Sequence, residues 1–323
     1  MSTRVKTALA WLFAVAALWW VFHDVAWPVV AGQLRGMDVV WLWPAVLCDV
    51  LTYACEGQRW SLLARPVGHL PVRRAVQAIY AGLFTNEVLP LRFGEVVRAY
   101  LASRWAGVPV PELLPSMAVG RLIDGVWLSI AAGLLLAWMP LPGSLETGAE
   151  IFGGVMLGLV LVFLLLAWHP PGWAQRWRAQ SDSRTRHFIG RLLLGVGEIG
   201  VSGAALAALV SFGLPLLQTA AFWFVMQAAH LHLPFAAAAA VFVIVRLGTA
   251  LPNAPANVGS FQFFTVLGLQ LFGVEKAAAA AFSVSVFLVL TLPLWALGLW
   301  AILRCGVSLT ELRGRYAPAA LRS

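Results

Sequence analysis

A Leu-Pro break followed by a glycine occurs twice in this chain, once in each half, within apolar sequence long enough to enter a bilayer. The first break reads Leu89-Pro90-Leu91-Arg92-Phe93-Gly94-Glu95. The second reads Leu251-Pro252-Asn253-Ala254-Pro255-Ala256-Asn257-Val258-Gly259-Ser260. A Gly-Val pair (Gly107-Val108, Gly273-Val274) follows each at nearly the same distance, and a long apolar run comes next. Broken helices at membrane depth expose backbone groups that lipid cannot satisfy, so they must face protein or a wet cavity. Paired breaks in corresponding halves are the sequence pattern of a transporter-type binding site.

Composition places the chain in the membrane. Of 323 residues 61% are hydrophobic and 11% charged, with mean hydropathy +0.83 and 16 tryptophans. A soluble domain carries about a quarter charged residues. The net charge of +8 does not indicate nucleic acid, because the bases gather in short segments between apolar runs rather than on an amphipathic face.

Apolar runs predict an all-α polytopic protein with six transmembrane helices at 5–22, 38–57, 112–138, 150–168, 205–230 and 277–303. About 20 helical residues cross the hydrocarbon core. Segments 75–106 and 235–272 each hold two runs too short to span, so each is predicted to be a re-entrant helical hairpin. The first repeat then covers 1–140 and the second 141–323, joined by a basic connector at 169–191. Three crossings invert the second repeat relative to the first. With the N-terminus in the cytoplasm, most of the 22 basic residues fall inside, among them Arg59, Arg65, Arg73, Arg74, Arg176 and Arg191; Arg35 and Lys276 fall outside. This predicts a bacterial-type cytoplasmic (inner) membrane protein with both termini cytoplasmic. The N-terminal run lacks a small-residue cleavage site and reads as a retained signal anchor. The Trp173, Trp177 and arginine content of the connector suits either a headgroup-surface segment or a solvated loop.

Ionisable groups inside spans are costly and face a cavity or a partner. Asn86, Glu87, Arg92, Glu95 and Arg98 surround the first break, and Arg121 and Asp124 lie in the next span. Glu95–Arg98 and Arg121–Asp124 each share a helix face. Arg121–Asp124 alone could be a self-neutralising structural pair; with the other charges beside a helix break, a polar cavity is the expectation. Arg92 and Arg98 are assigned to a phosphate, since a guanidinium offers a planar fork of donors that matches phosphate oxygens. The second break offers Arg246, Asn253, Asn257 and Gln262, with Asn257 a possible N-cap. Asp49, Tyr53 and Glu56 form one helix face, and Glu56 can reach Arg59.

Other patterns carry less. Gly195, Gly197 and Gly200 fit G-x-G-x-x-G, but a basic loop precedes them where a strand is required. His230 and His232 lack a third ligand, and Cys48, Cys55 and Cys305 give no disulfide or metal framework. No metal and no cofactor are expected.

The residues Arg59-Trp60, Gly82-x-Phe84-x-Asn86-x-x-Leu89-Pro90-x-Arg92-x-Gly94-Glu95-x-x-Arg98, Arg121-Leu122-x-Asp124 and Leu251-Pro252-x-x-Pro255-x-x-x-Gly259 resemble the lysylphosphatidylglycerol synthase transmembrane-domain family, also called flippase-like domain proteins. The resemblance spans nearly the whole chain. It implies a protein that moves or handles lipid-anchored anionic molecules between leaflets. Multidomain relatives add a soluble aminoacyl-transferase domain that this sequence lacks, so the expectation is a non-enzyme. The second half departs from the family pattern: Pro255-Ala256-Asn257 stands where Pro-Gly-Gly is usual, and Gln262 where a Glu is usual. That casts doubt on proton coupling, or recognition of a cationic headgroup, at that position. The expected function is translocation or binding of a phospholipid, polyprenyl-linked or hopanoid-linked lipid with an anionic headgroup. The alternatives are a small-anion secondary transporter, a non-transporting scaffold partnering a lipid-modifying enzyme, and, more weakly, an intramembrane enzyme.

Overall fold

A computed structural model describes residues 3–23, 25, 27–88, 93–139, 143–169, 172–180, 183–250 and 257–305. These are helical, with no strand among them. Among the described residues five helical stretches are long and apolar enough to cross a membrane: Val39–Ala64, Val110–Trp138, Gly143–Trp168, Phe188–Ala228 and Lys276–Cys305. The chain is a polytopic all-α membrane protein.

In chain order the helices are α1 (Thr3–Phe22), α2 (Trp27–Arg35), α3 (Val39–Ala64), α4 (Val72–Val88), α5 (Gly94–Ala106), α6 (Val110–Trp138), α7 (Gly143–Trp168), α8 (Gly172–Gln180), α9 (Arg184–Ser211), α10 (Gly213–Ala228), α11 (Phe235–Gly248), α12 (Ser260–Gln270) and α13 (Lys276–Cys305). α3 starts at Asp38, whose carboxylate accepts the Val40 N–H at 2.9 Å and satisfies one of the unpaired donors of the first turn. It continues past residue 57 to Ala64, which carries Arg59 into the bundle. Arg59 is only 3% exposed and so does not belong to the cytoplasmic basic segment in which the charge pattern placed it. The basic connector holds α8 and the start of α9. α9 bends at Gly200, where φ is +67°, before the chain continues through Phe212 into α10.

The two broken regions each form a pair of packed antiparallel helices. In the first, the Arg74 guanidinium on α4 lies 4.9 Å from the Trp105 ring centroid on α5, Gly82 faces Arg98, and the Asn86 side chain accepts the Gly94 N–H at 2.7 Å. Rising numbers on one arm meet falling numbers on the other. The arms touch backbone to backbone: a Cβ on Gly94 would lie 1.9 Å from the Gly82 carbonyl oxygen. In the second pair Gly248 faces Phe264 and Gly268 faces Val241.

Both second arms stop in the same way. Gly107 and Gly273 adopt φ of +71° and +75°, a left-handed turn that glycine enters at no steric cost. The Val108 N–H then reaches the Ser103 carbonyl at 3.2 Å, and the Val274 N–H reaches the Leu269 carbonyl at 3.3 Å. The Gly-Val pairs in the sequence are these two helix stops.

α3 and α10 pack along each other at the centre. α4 lies against α3, α5 and α13, and α11 against α10, α12 and α6. α6 meets α9, as α13 meets α2. α7 is peripheral: only Ala149 and Phe163 are buried, while Ile151, Val155, Leu157 and Leu165 are more than half exposed. An apolar outer face of that kind suits hydrocarbon as its solvent.

Candidate functional site

Six charged side chains from three helices meet beside the first hairpin. Arg59 of α3 donates both guanidinium nitrogens to Asp124 of α6: Nη1 to Oδ1, and Nη2 to Oδ2 at 3.1 Å. Its Nη1 is also 3.5 Å from Ser211 Oγ on α9. Arg98 of α5 donates to Glu56 of α3 at 2.7 Å and lies over the Trp60 ring, 4.2 Å from its centroid. Arg121 of α6 pairs with Glu95 of α5, and its other terminal nitrogen is 3.8 Å from Asp124.

Three bases and three acids therefore neutralise one another, but not in equal dryness. The Arg59 and Arg98 side chains are 3% and 10% exposed, whereas Arg121 and Glu95 are 55% and 38% exposed. The buried pairs hold α3, α5 and α6 together. The exposed pair faces an open cleft of about 250 Å³ lined by Glu56, Arg59, Trp60, Glu95, Arg98 and Arg121. Trp60 is fixed at the cleft wall by its indole N–H, which donates to Ser116 Oγ at 3.0 Å.

A second open cleft of about 380 Å³ lies further along α6, lined by Asp124, Trp127, Ser211, Gln218, Phe242 and Arg246. Asp124 borders this cleft, and Arg59, its partner, borders the first. The Arg59–Asp124 pair thus stands between the two spaces.

The structure brings together Glu95, Arg98, Arg121 and Asp124 of the residues singled out in the sequence, and adds Arg246 on the far side of Asp124. It also changes their pairing. Glu95 and Arg98 do not serve each other; each is matched to a residue on a neighbouring helix. Glu56 pairs with Arg98 rather than with Arg59. Arg98, assigned to a phosphate, is paired with Glu56 and lies over Trp60, and Arg121 is the most exposed guanidinium of the cluster. Asn86 spends its side-chain oxygen on closing the hairpin. Glu87, at the end of α4, has the Trp295 indole of α13 as a hydrogen-bond partner. Gln262 is 5% exposed and accepts the Gly259 N–H at 2.8 Å, so it, and not Asn257, satisfies the start of α12. Asn257 sits just before that start with φ of +53°. Arg92 and Asn253 lie outside the described residues. Glu56 and Arg59 join the cluster from α3; in the sequence the signal for them is the face shared by Asp49, Tyr53 and Glu56, with Arg59 one turn on.

A multi-pass helical bundle with a charged cleft between its first broken helix pair and the following span defines a polytopic all-α membrane protein. The family model for the lysylphosphatidylglycerol synthase TM region matches residues 7–298, and the chain belongs to that family. It is also 26% identical over 210 residues to the glycosyltransferase AglD of Haloferax volcanii, a match covering 64% of this chain and 31% of AglD. The chain thus corresponds to about a third of that relative. No solved structure gives a significant match.

Proposed function

We propose that this protein binds a membrane lipid with an anionic headgroup and moves that headgroup between leaflets, acting as a transporter and not as an enzyme. The observation that carries the reading is Arg121: a half-exposed guanidinium in an open cleft, backed by two buried ion pairs that fix its surroundings. A guanidinium in a partly desolvated cleft favours phosphate-type oxygens over neutral headgroups. Glu95 is the carboxylate that an incoming anion would displace. The headgroup would then travel along α6 while its tails stay in lipid, and the Arg59–Asp124 pair must open for it to pass from one cleft to the other.

Two architectural features belong to this reading. The matched helix stops, the two antiparallel hairpins and the reciprocal packing of α3 on α10 support an inverted repeat whose hairpins are re-entrant. The basic bias of the segments around α8 and after α3 supports an inner-membrane protein with both termini cytoplasmic. In that orientation the cleft holding Arg121 is the cytoplasmic one.

The test is Arg121→Gln, compared with wild type for movement of labelled anionic and zwitterionic lipids in liposomes. A charge-assisted hydrogen bond contributes about 1.5–3 kcal/mol, so the variant is expected to lose roughly tenfold or more in anionic lipid movement. Because Arg121 is exposed, its thermal stability should stay near that of wild type. Undiminished anionic movement in a folded Arg121→Gln protein sinks the assignment.

The likeness to part of a protein named a glycosyltransferase favours a second reading, a scaffold beside a lipid-modifying enzyme. That reading requires full function in cells when Glu95 and Arg121 are neutralised together, whereas transport requires its loss.

A further inference from the structure

Asp49 lies near the middle of α3, about 15 Å from its start at 1.5 Å per residue, and is 7% exposed. Its Oδ2 is buried and has no hydrogen-bond partner among the described residues. The arginines of α3, α5 and α6 pair with other acids: Arg59 with Asp124, Arg98 with Glu56 and Arg121 with Glu95. Facing Asp49 across the α3–α4 contact is Tyr80, 6% exposed, whose hydroxyl is likewise buried and unpartnered. The Tyr80 ring sits 5.2 Å from that of Tyr53, one turn beyond Asp49 on the same face. Asp49 acts electrostatically on both phenols.

An ionised carboxylate without a partner at membrane depth is expensive, and a proton is the smallest group that removes the charge. Among the described residues no arginine or lysine pairs with Asp49, and the Tyr53 and Tyr80 rings pack beside it. We propose that Asp49, buried beside Tyr53 and Tyr80, is a proton-binding site, and that its occupancy is coupled to movement of the headgroup. The first half stands on its own; the coupling rests on the transport reading above.

The groups facing the site are Cys48, Tyr53 and Glu56 on α3, Tyr80 on α4 and Arg246 on α11, the last acting on Tyr53 together with Glu56. α10 carries no titratable side chain, and α13 carries none between Lys276 and Arg304. α6 and α9 meet α3 through Arg59, about ten residues further along. The link to the cleft follows the same helix face: Asp49, Tyr53, then Glu56, which holds Arg98 at the cleft wall. The proton is taken from water and returned to water. One carboxyl O–H bond forms and breaks, and no other atom is exchanged.

Infrared spectroscopy of the purified full chain in lipid nanodiscs at neutral pH tests the site. The carbonyl stretch of a protonated carboxylic acid is expected, and it should be lost in Asp49→Asn while Glu87→Gln retains it. Tyr80→Phe should shift that band. A band unaffected by Asp49→Asn overturns the site; if that variant cannot be purified, an unshifted band in Tyr80→Phe does so. Coupling is read in liposomes with labelled phosphatidylglycerol: an imposed pH gradient should change its movement several-fold, and Asp49→Asn should abolish the response. Lipid movement indifferent to the gradient overturns coupling. A proton band without any lipid movement overturns the transport reading and leaves the site standing.

Discussion

Alanine in place of Asp124 is expected to cost about 3–5 kcal/mol, because it leaves the Arg59 guanidinium buried without its counterion. The expectation rests on geometry. Arg59 gives two nitrogens to one carboxylate, and its further contact among the described residues is Ser211 Oγ at 3.5 Å. Replacing both partners with apolar residues of similar volume, as in Arg59→Met with Asp124→Leu, should recover most of that loss, since neither charge is then stranded. Thermal unfolding in detergent would show the single variant far below wild type and the double variant close to it. The double variant should still fail to move anionic lipid, because the barrier between the clefts would be greasy instead of ionic. A double variant as unstable as the single one would show that the pair's role is not mutual neutralisation.

The other large effect is expected at Gly94. A methyl group there would sit 1.9 Å from the Gly82 carbonyl oxygen and 2.6 Å from the Asn86 side-chain oxygen. Both neighbours belong to the facing helix, and one is backbone, so no rotamer change relieves the clash. Forcing the arms apart also breaks the Gly94–Asn86 hydrogen bond and moves Glu95 and Arg98 away from Arg121 and Glu56. Overpacking of this kind costs about 1–3 kcal/mol in ordinary cores and occasionally more; Gly94→Ala belongs at or above the upper end. The yield of monodisperse protein and its melting temperature measure the effect. Gly133→Ala on α6, where a methyl group meets nothing within 4 Å, is the matched control and should behave as wild type.

Much of this architecture was legible before any coordinates. Hydropathy gave the membrane class, the breaks located both helix pairs, and charges in apolar sequence located Glu95, Arg98, Arg121 and Asp124. Pairing was not legible. Spacing along one helix suggests Glu95 with Arg98 and Glu56 with Arg59, but which acid reaches which base depends on how α3, α5 and α6 pack. Close contacts set that packing, such as Gly120 of α6 against Leu63 and Arg59 of α3, and a single sequence does not announce them. The connector stayed open between a headgroup-surface segment and a solvated loop for a different reason. Pro170, Pro171 and the run of arginines suit either, yet arginine, alanine and glutamine are also good helix formers, and α8 packs on α9. At the second break Asn257 resembled a cap, but its left-handed backbone precludes that role and Gln262 serves instead.

Because every cation in the cluster is matched to an anion on another helix, biosynthesis has to follow an order. Arg59 leaves the ribosome 65 residues before Asp124, Glu56 42 residues before Arg98, and Glu95 26 residues before Arg121. Until those later helices exist, Glu56 and Arg59 have only each other on α3, three residues apart. The final exchange of partners, and with it the locking of α3 against α5 and α6, therefore closes only after residue 124 has been made.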